Sequence, residues 1–213
     1  MATRTTKRAQ STTRQPTRKA TRPATRATRP PDAIALIKAD HAAVNQLFRR
    51  YKELGDRAYA SRKRIADRVI KELSVHAAIE EQILYPNARA ALPNGKKLVG
   101  EAIDEHQELK ETLVELDKCE PDDARFDELM KQVREEVRHH VREEEASEGI
   151  LGQLRKHASR DDLVQMAKLM KTAKKAAPTR PHPNAPSTPP GNVIIGAAAA
   201  VVDKARDAMG GRK

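Results

Sequence analysis

The sequence predicts an all-α fold: an up-down four-helix bundle with an accessory fifth helix and a disordered basic N-terminal arm. Composition is the first ground, since 38% apolar and 33% charged residues with no Trp, two Phe and three Tyr suit a helical protein better than a β-rich one. Periodicity is the second, because in four successive stretches the apolar residues recur at three- and four-residue steps. Punctuation is the third: Gly55, the run Pro93-Asn94-Gly95, and Pro121 followed by Asp122 and Asp123 mark short turns between those stretches. At 213 residues the chain has room for one such domain with tails, or for two small ones.

Residues 1–31 hold six Thr-Arg dipeptides, four prolines, nine Lys or Arg and no acid. So little apolar surface cannot offset the entropy of ordering, and this arm is expected to be disordered. Of the net charge of +11 the arm carries nine, leaving about +2 for everything else. Such an arm solubilises, or attracts nucleic acid or another polyanion through counterion release. The absence of aromatic residues for base stacking favours the first role. An Arg- and Thr-rich, acid-free N-terminus also resembles an organelle transit peptide.

The first helix is expected from Asp32 to about Leu54, with Ile34, Ile37, Val44, Leu47, Phe48 and Tyr51 inward. The second runs from about Arg62 to Tyr85, ending close to Pro86, and turns Ile65, Val69, Leu73, Ile79 and Ile83 to the core. The third, from about Lys96 to Lys118, buries Val99, Ala102, Leu109, Leu113 and Leu116. The fourth opens after Pro121 with Phe126, Met130, Val133 and Val137 inward and continues to Leu151, where Gly149 and Gly152 weaken it. These four make a domain over residues 32–155. Across 156–177, a Ser159 cap and the acidic first turn of Asp161 and Asp162 announce the accessory helix, with Leu163, Met166, Leu169 and Met170 on one side. Residues 178–192, with six prolines, read as an extended linker, and 193–213 as a short amphipathic C-terminal segment.

Cys119 is the only cysteine, so a disulfide framework or a cysteine-based zinc cluster within the chain is excluded and a reducing compartment is favoured. No secretory apolar region follows Met1, and the run Val193 to Val202 is too short to span a bilayer. A soluble cytoplasmic protein without membrane insertion is expected.

The functional signal is a set of polar residues inside the apolar stripes. His41 falls between Ile37 and Val44, His76 follows Leu73, and His106 and His140 occupy the stripes of the third and fourth helices. Glu80 and Glu144 stand four residues after His76 and His140, which stacks each pair on one helical face. The neighbouring His139 is about 100° away and reads as a solvated or supporting side chain, and His182 in the linker is no ligand. Around turns near positions 58, 92 and 121, the four histidines differ in distance from the turn by one to four residues, roughly 1.5–6 Å of helical rise. All four imidazoles can therefore share one layer, with Glu80 and Glu144 a turn away. A single core histidine is usually satisfied by hydrogen bonds, but four coincidences of phase and depth point to a metal. Nitrogen and carboxylate donors without thiolate suit iron or manganese better than structural zinc. Six donors are about right for two metals bridged by carboxylates. A ferritin-like site is disfavoured, because Glu136 with His139 supplies only one Glu-x-x-His motif.

These residues follow the order His, His-x-x-x-Glu, His, His-x-x-x-Glu on successive helices, in KADH ending at His41, HAAIEEQILYP from His76, DEHQEL around His106 and HVREEE from His140. In that pattern the chain resembles the hemerythrin-like HHE cation-binding family over about residues 32–155. The resemblance implies a non-haem di-iron centre with His41, His76, Glu80, His106, His140 and Glu144 as ligands. Glu80 and Glu144 would bridge the irons, leaving positions for dioxygen, peroxide, nitric oxide or a bridging oxo group. Two departures stand out. Lys110 occupies the place of a further histidine found in oxygen-carrying hemerythrins, as in HHE members linked to peroxide, nitric oxide or iron handling. ASEGILGQL replaces the usual Phe-Pro ending, which the first motif keeps as Tyr85-Pro86. The expected function is a di-iron protein that reacts with or senses dioxygen, peroxide or nitric oxide, or handles iron, with peroxide- or nitric-oxide-directed catalysis left open. The alternative is a polyanion-associated binding protein anchored by residues 1–31, with the bundle as a metal-sensing or structural body.

Overall fold

A computed structural model describes Met1, residues 29–189, Gly191 and Asp203. Most of the expected basic arm and of the expected C-terminal segment lies outside these described residues. Four helical rods form the bundle: α1 (Ala33–Lys52), α2 (Tyr59–Ile79) prolonged by a π-helical turn Glu80–Leu84 and α3 (Tyr85–Ala91), α4 (Gly95–Lys118) and α5 (Arg125–Glu145). The short α6 (Ile150–His157) and the fifth long helix, α7 (Arg160–Lys174), follow. Among the described residues no helix is long and apolar enough to cross a membrane.

The local start signals act as the sequence suggests. Asp32 caps α1 by accepting from the Ala35 N–H at 2.9 Å, and Ser159 caps α7 by accepting from the Asp162 N–H at 3.1 Å. Asp123 Oδ1 accepts from the Arg125 N–H at 2.8 Å and so opens α5.

Two boundaries differ from expectation. The second rod does not stop near Pro86 but runs on to Ala91, because proline at the first turn of a new helix forfeits only an N–H that would be unpaired there. The junction is the π turn, in which the Tyr85 N–H reaches back five residues to the Glu80 carbonyl. The fourth rod ends at Glu145, with extended backbone at Ala146, so Leu151 belongs to α6 instead. Gly149 permits that reversal: a Cβ there would lie against the Glu143 carbonyl and 2.7 Å from that of Glu144.

Two apolar cores fill the bundle. One joins Ile34, Ile37, Ile79, Leu84, Tyr85, Val99 and Ala102 to Ile150, Leu151 and Leu154 of α6 and Leu163, Met166 and Met170 of α7. The other holds Val44, Phe48, Val69, Leu73, Leu109, Leu113, Phe126, Met130, Val133 and Val137. Leu169, expected on the packed side of α7, is 61% exposed, and Ala167 takes its place in the core. The proline-rich segment is not an extended linker: Arg180 pairs with Asp117 of α4 at 2.6 Å, the Thr179 and Arg180 N–H groups each donate to Asp203 Oδ2 at 3.0 Å, and Thr179 is buried.

The packing predicts unequal effects of two neighbouring truncations on α7. Met170→Ala, which opens a cavity in the first core, is expected to lower unfolding free energy by about 2–5 kcal/mol, and Leu169→Ala to change it by no more than about 0.5 kcal/mol. Denaturant titration of the two variants decides the matter, and equal losses would reverse the assigned face.

Candidate metal centre

The two apolar cores leave a polar layer between them, and the six residues singled out from sequence all lie in it. His41, His76, Glu80, His106, His140 and Glu144 are each at most 5% exposed. His41, His76 and His140 offer ligand atoms within 4.8 Å of one another, as do Glu80, His106 and His140, and His41, Glu80 and Glu144. His76 Nε2 and His106 Nε2 lie 3.2 and 3.3 Å from Glu80 Oε2, and His41 Nε2 lies 3.6 Å from Glu144 Oε2. Of the three consecutive glutamates, Glu144 turns inward while Glu143 is exposed and Glu145 faces His41 Nδ1.

Each histidine shows its other ring nitrogen to an acid of the preceding rod. Glu145 Oε1 lies 2.8 Å from His41 Nδ1, Glu81 Oε1 3.0 Å from His106 Nδ1, and Glu105 Oε2 2.7 Å from His140 Nδ1. Asp40 Oδ2 stands 3.6 Å from His76 Nδ1, at ion-pair range and short of a hydrogen bond. The pattern closes on itself: α1 serves α2, the π turn serves α4, α4 serves α5 and α5 serves α1. A basic or ring nitrogen holds each acid in turn. Lys174 of α7 lies 2.5 Å from Asp40, Lys110 2.7 Å from Glu81, Lys38 2.8 Å from Glu145 and His139 3.2 Å from Glu105.

Where His41, His106 and His140 donate Nδ1–H to these carboxylates, the Nε2 lone pair is aimed into the layer; His76 Nδ1 is buried without a hydrogen bond. Within the layer those donors lack partners: His41, His76 and His140 Nε2, Glu80 Oε1 and both Glu144 oxygens are buried and make no hydrogen bond. The His106 Nε2 has one hydrogen-bond partner, the Tyr85 hydroxyl at 3.2 Å, which also lies 3.4 Å from Glu80 Oε2. So many orphaned donors aimed at one place are the arrangement a cation satisfies, since buried polar groups are otherwise paired.

The family model for the hemerythrin HHE cation binding domain matches residues 32–149. An uncharacterized hemerythrin-like protein of Schizosaccharomyces pombe is 31% identical over 183 residues, covering 85% of this chain and 87% of the relative. The chain belongs to the hemerythrin HHE cation-binding family. The fold agrees with a crystal structure of an HHE cation binding domain-containing protein from Mycobacterium kansasii, at a TM-score of 0.51 and 20% identity over 68% of this chain and 88% of that one. A DNA nickase of a Nostoc species is 30% identical over 139 residues, or 65% of this chain and 38% of the nickase's length.

Within this HHE domain Lys110 is not directed at the inner atoms but grips both Glu81 oxygens, at 2.7 and 2.9 Å. Glu136 binds Thr112 and Gln132, and the His139 side chain is 56% exposed, so the single Glu-x-x-His spacing builds no inner site. His182 meets Asp203 Oδ2 at 3.1 Å. Sequence reasoning missed Asp40, Glu81, Glu105, Glu145 and Tyr85. A signal existed, since each of the four acids adjoins an inner residue and lies about 100° round the helix from it. With 30 acids in the chain that adjacency selects little on its own.

Burial dominates the electrostatics of the metal-free layer. It carries His41 down to about 3, with His76 nearby adding to the effect, and His76 and His106 to about 4 despite the opposing pull of Asp40 and Glu81. Burial works against protonation of His140 as well, but its bond to Glu105 and the charge of Glu144 lift it above its ordinary value. Burial raises Glu144 to about 7 and, with Glu144 alongside, Glu80 well above the carboxylate range. Glu81, Asp40, Glu105 and Glu145 are held low by their histidine and basic neighbours, which outweigh desolvation.

For His41, His76 and His106 the unfolded chain takes up protons first, so the stability they govern is present above pH 6.5 and is lost as pH falls toward 3–4. Glu144 acts oppositely: the folded state keeps its proton longer, and stability is lost as pH rises from 4.5 through about 7. The melting temperature of metal-free protein should therefore peak near pH 6.5. Glu144→Gln should flatten the alkaline limb in melts run with chelator, and an unchanged limb in that variant would contradict the assignment.

Proposed function

We propose that the HHE domain is a non-haem di-iron protein that reacts with or senses dioxygen, peroxide or nitric oxide, or handles iron, through His41, His76, Glu80, His106, His140 and Glu144. The observation that supports this most is the convergence of unpaired imidazole and carboxylate donors in a buried layer. Neutral nitrogen and hard oxygen without thiolate match iron's preferences. Six donors with two central carboxylates, Glu80 and Glu144, suit two ions with positions to spare. Bound iron would supply electron exchange between ferrous and ferric states and a seat for a small oxygen- or nitrogen-containing ligand.

The chain's own groups then divide the work. Asp40, Glu81, Glu105 and Glu145 face the Nδ1 side of the imidazoles and hold the rings in orientation, with Nε2 turned toward the layer. Tyr85, whose hydroxyl keeps its proton because burial and the charge of Glu80 push its titration far upward, can donate a hydrogen bond into the layer. A small cavity of about 10 Å³ touches all four histidines, with Asp40 and the apolar side chains of Val44, Leu73, Leu109, Val137 and Val141 around it.

A second reading rests on the acid-free arm and on the similarity to a DNA nickase: residues 1–31 anchor the protein to DNA or another polyanion. The two readings are compatible. Removing residues 1–28 should weaken duplex DNA binding and flatten its salt dependence by several phosphate contacts. Identical binding across a salt series would reduce the arm to a solubiliser, and a supercoiled-plasmid assay tests for nicking.

The iron reading is checked by elemental analysis after anaerobic reconstitution with ferrous iron. About two irons per chain are expected in wild type, with loss of at least one and a lower melting temperature in His76→Ala. Glu105→Ala, which frees His140 Nδ1, should weaken metal binding about 10–100-fold without abolishing it. A wild type that binds no iron, or a His76→Ala protein with undiminished content, refutes the proposal.

A further inference from the structure

A second opening meets the polar layer from a different side. Between α4, α5 and the turn into α6 lies a solvent-open cleft of about 590 Å³. Glu101 and Glu105 of α4, Glu143 of α5 and Glu148 of the turn line it, and no Lys or Arg does. His140 and Glu144 form its floor, 5% and 3% exposed. At that floor His140 Nε2 and both Glu144 oxygens make no hydrogen bond. Glu105 links rim to floor, with Oε1 3.2 Å from the exposed His139 and Oε2 2.7 Å from His140 Nδ1.

The contrast with the small cavity at the histidines decides what each opening can pass. At about 10 Å³ that cavity has no room for a hydrated dication, and losing water without replacement ligands is prohibitive. The acidic cleft offers carboxylates from solvent to the buried donors. Its rim acids do have basic neighbours, Lys97 at 3.8 Å from Glu101, Arg142 at 3.4 Å from Glu143 and Lys156 at 2.6 Å from Glu148. Those partners stand outside the lining, and exposed pairs of this kind are weak enough for a dication to displace.

We propose that this cleft is the port through which a divalent cation reaches the layer, with Glu101, Glu143 and Glu148 as docking carboxylates and Glu144 as the first inner acceptor. The inference rests on the metal-binding reading and adds the route. A cleft lined by carboxylates concentrates cations and raises their capture rate, an effect that salt suppresses.

The test is the rate of cobalt(II) uptake by full-length metal-free protein, followed by the ligand-field absorption of the bound ion in a stopped-flow mixer, with final stoichiometry from equilibrium dialysis. Glu101→Gln, Glu143→Gln and Glu148→Gln combined should load about tenfold more slowly with unchanged capacity. Ala146→Lys, which sets a cation on the exposed lip without removing an acid, should do likewise. Raised ionic strength should bring wild type toward the variants, and a control losing three acids elsewhere, Glu53→Gln, Glu72→Gln and Glu120→Gln, should load at the wild-type rate. Port variants that load as fast as wild type overturn the route and leave the centre standing. A wild type that takes up no cobalt overturns the centre and the route with it.

Discussion

Everything in this bundle answers to one constraint: six ionisable side chains are confined to a single buried layer between two apolar cores. Left alone, such a layer would collapse or protonate, because each unpaired buried polar group costs about 1–3 kcal/mol and a charged one more. The closed ring of acids is the structural answer. Each rod presents a histidine inward and a carboxylate, next in sequence to an inner residue, to the following rod's histidine, so no imidazole is oriented by its own helix alone. The four rods must be in register for any one of the nitrogens to be aimed correctly, and the geometry of the inner atoms becomes a property of the bundle as a whole.

The ring is itself supported from outside, which explains the extra segments. Lys174 on α7 pairs with Asp40 at 2.5 Å, so the fifth helix supports the acid beside His76 as well as completing a core. Lys110, where oxygen carriers place another histidine, steadies Glu81 and through it His106. The proline-rich segment lies against the same region, with Ser187 3.4 Å from Lys110 Nζ. The π turn belongs to this scheme too: it lets the consecutive Glu80 and Glu81 both be buried, one toward the inner atoms and one toward His106.

The sequence by itself determined the class of fold, the four rods, the Ser159 cap of the fifth helix and the six inner residues. These follow from periodicity, from helical phase and from chain distance to the turns, all of which are local quantities. Tertiary structure decided the rest. The path of the second rod past Pro86, the break after Glu145, the face of α7 and the docking of residues 178–189 depend on what lies opposite each segment in space. The outer acids were written beside the inner residues all along, but an acid becomes a histidine's partner only when another helix carries that histidine to within about 3 Å. Local chemistry can name who points inward. Only packing decides whom they meet.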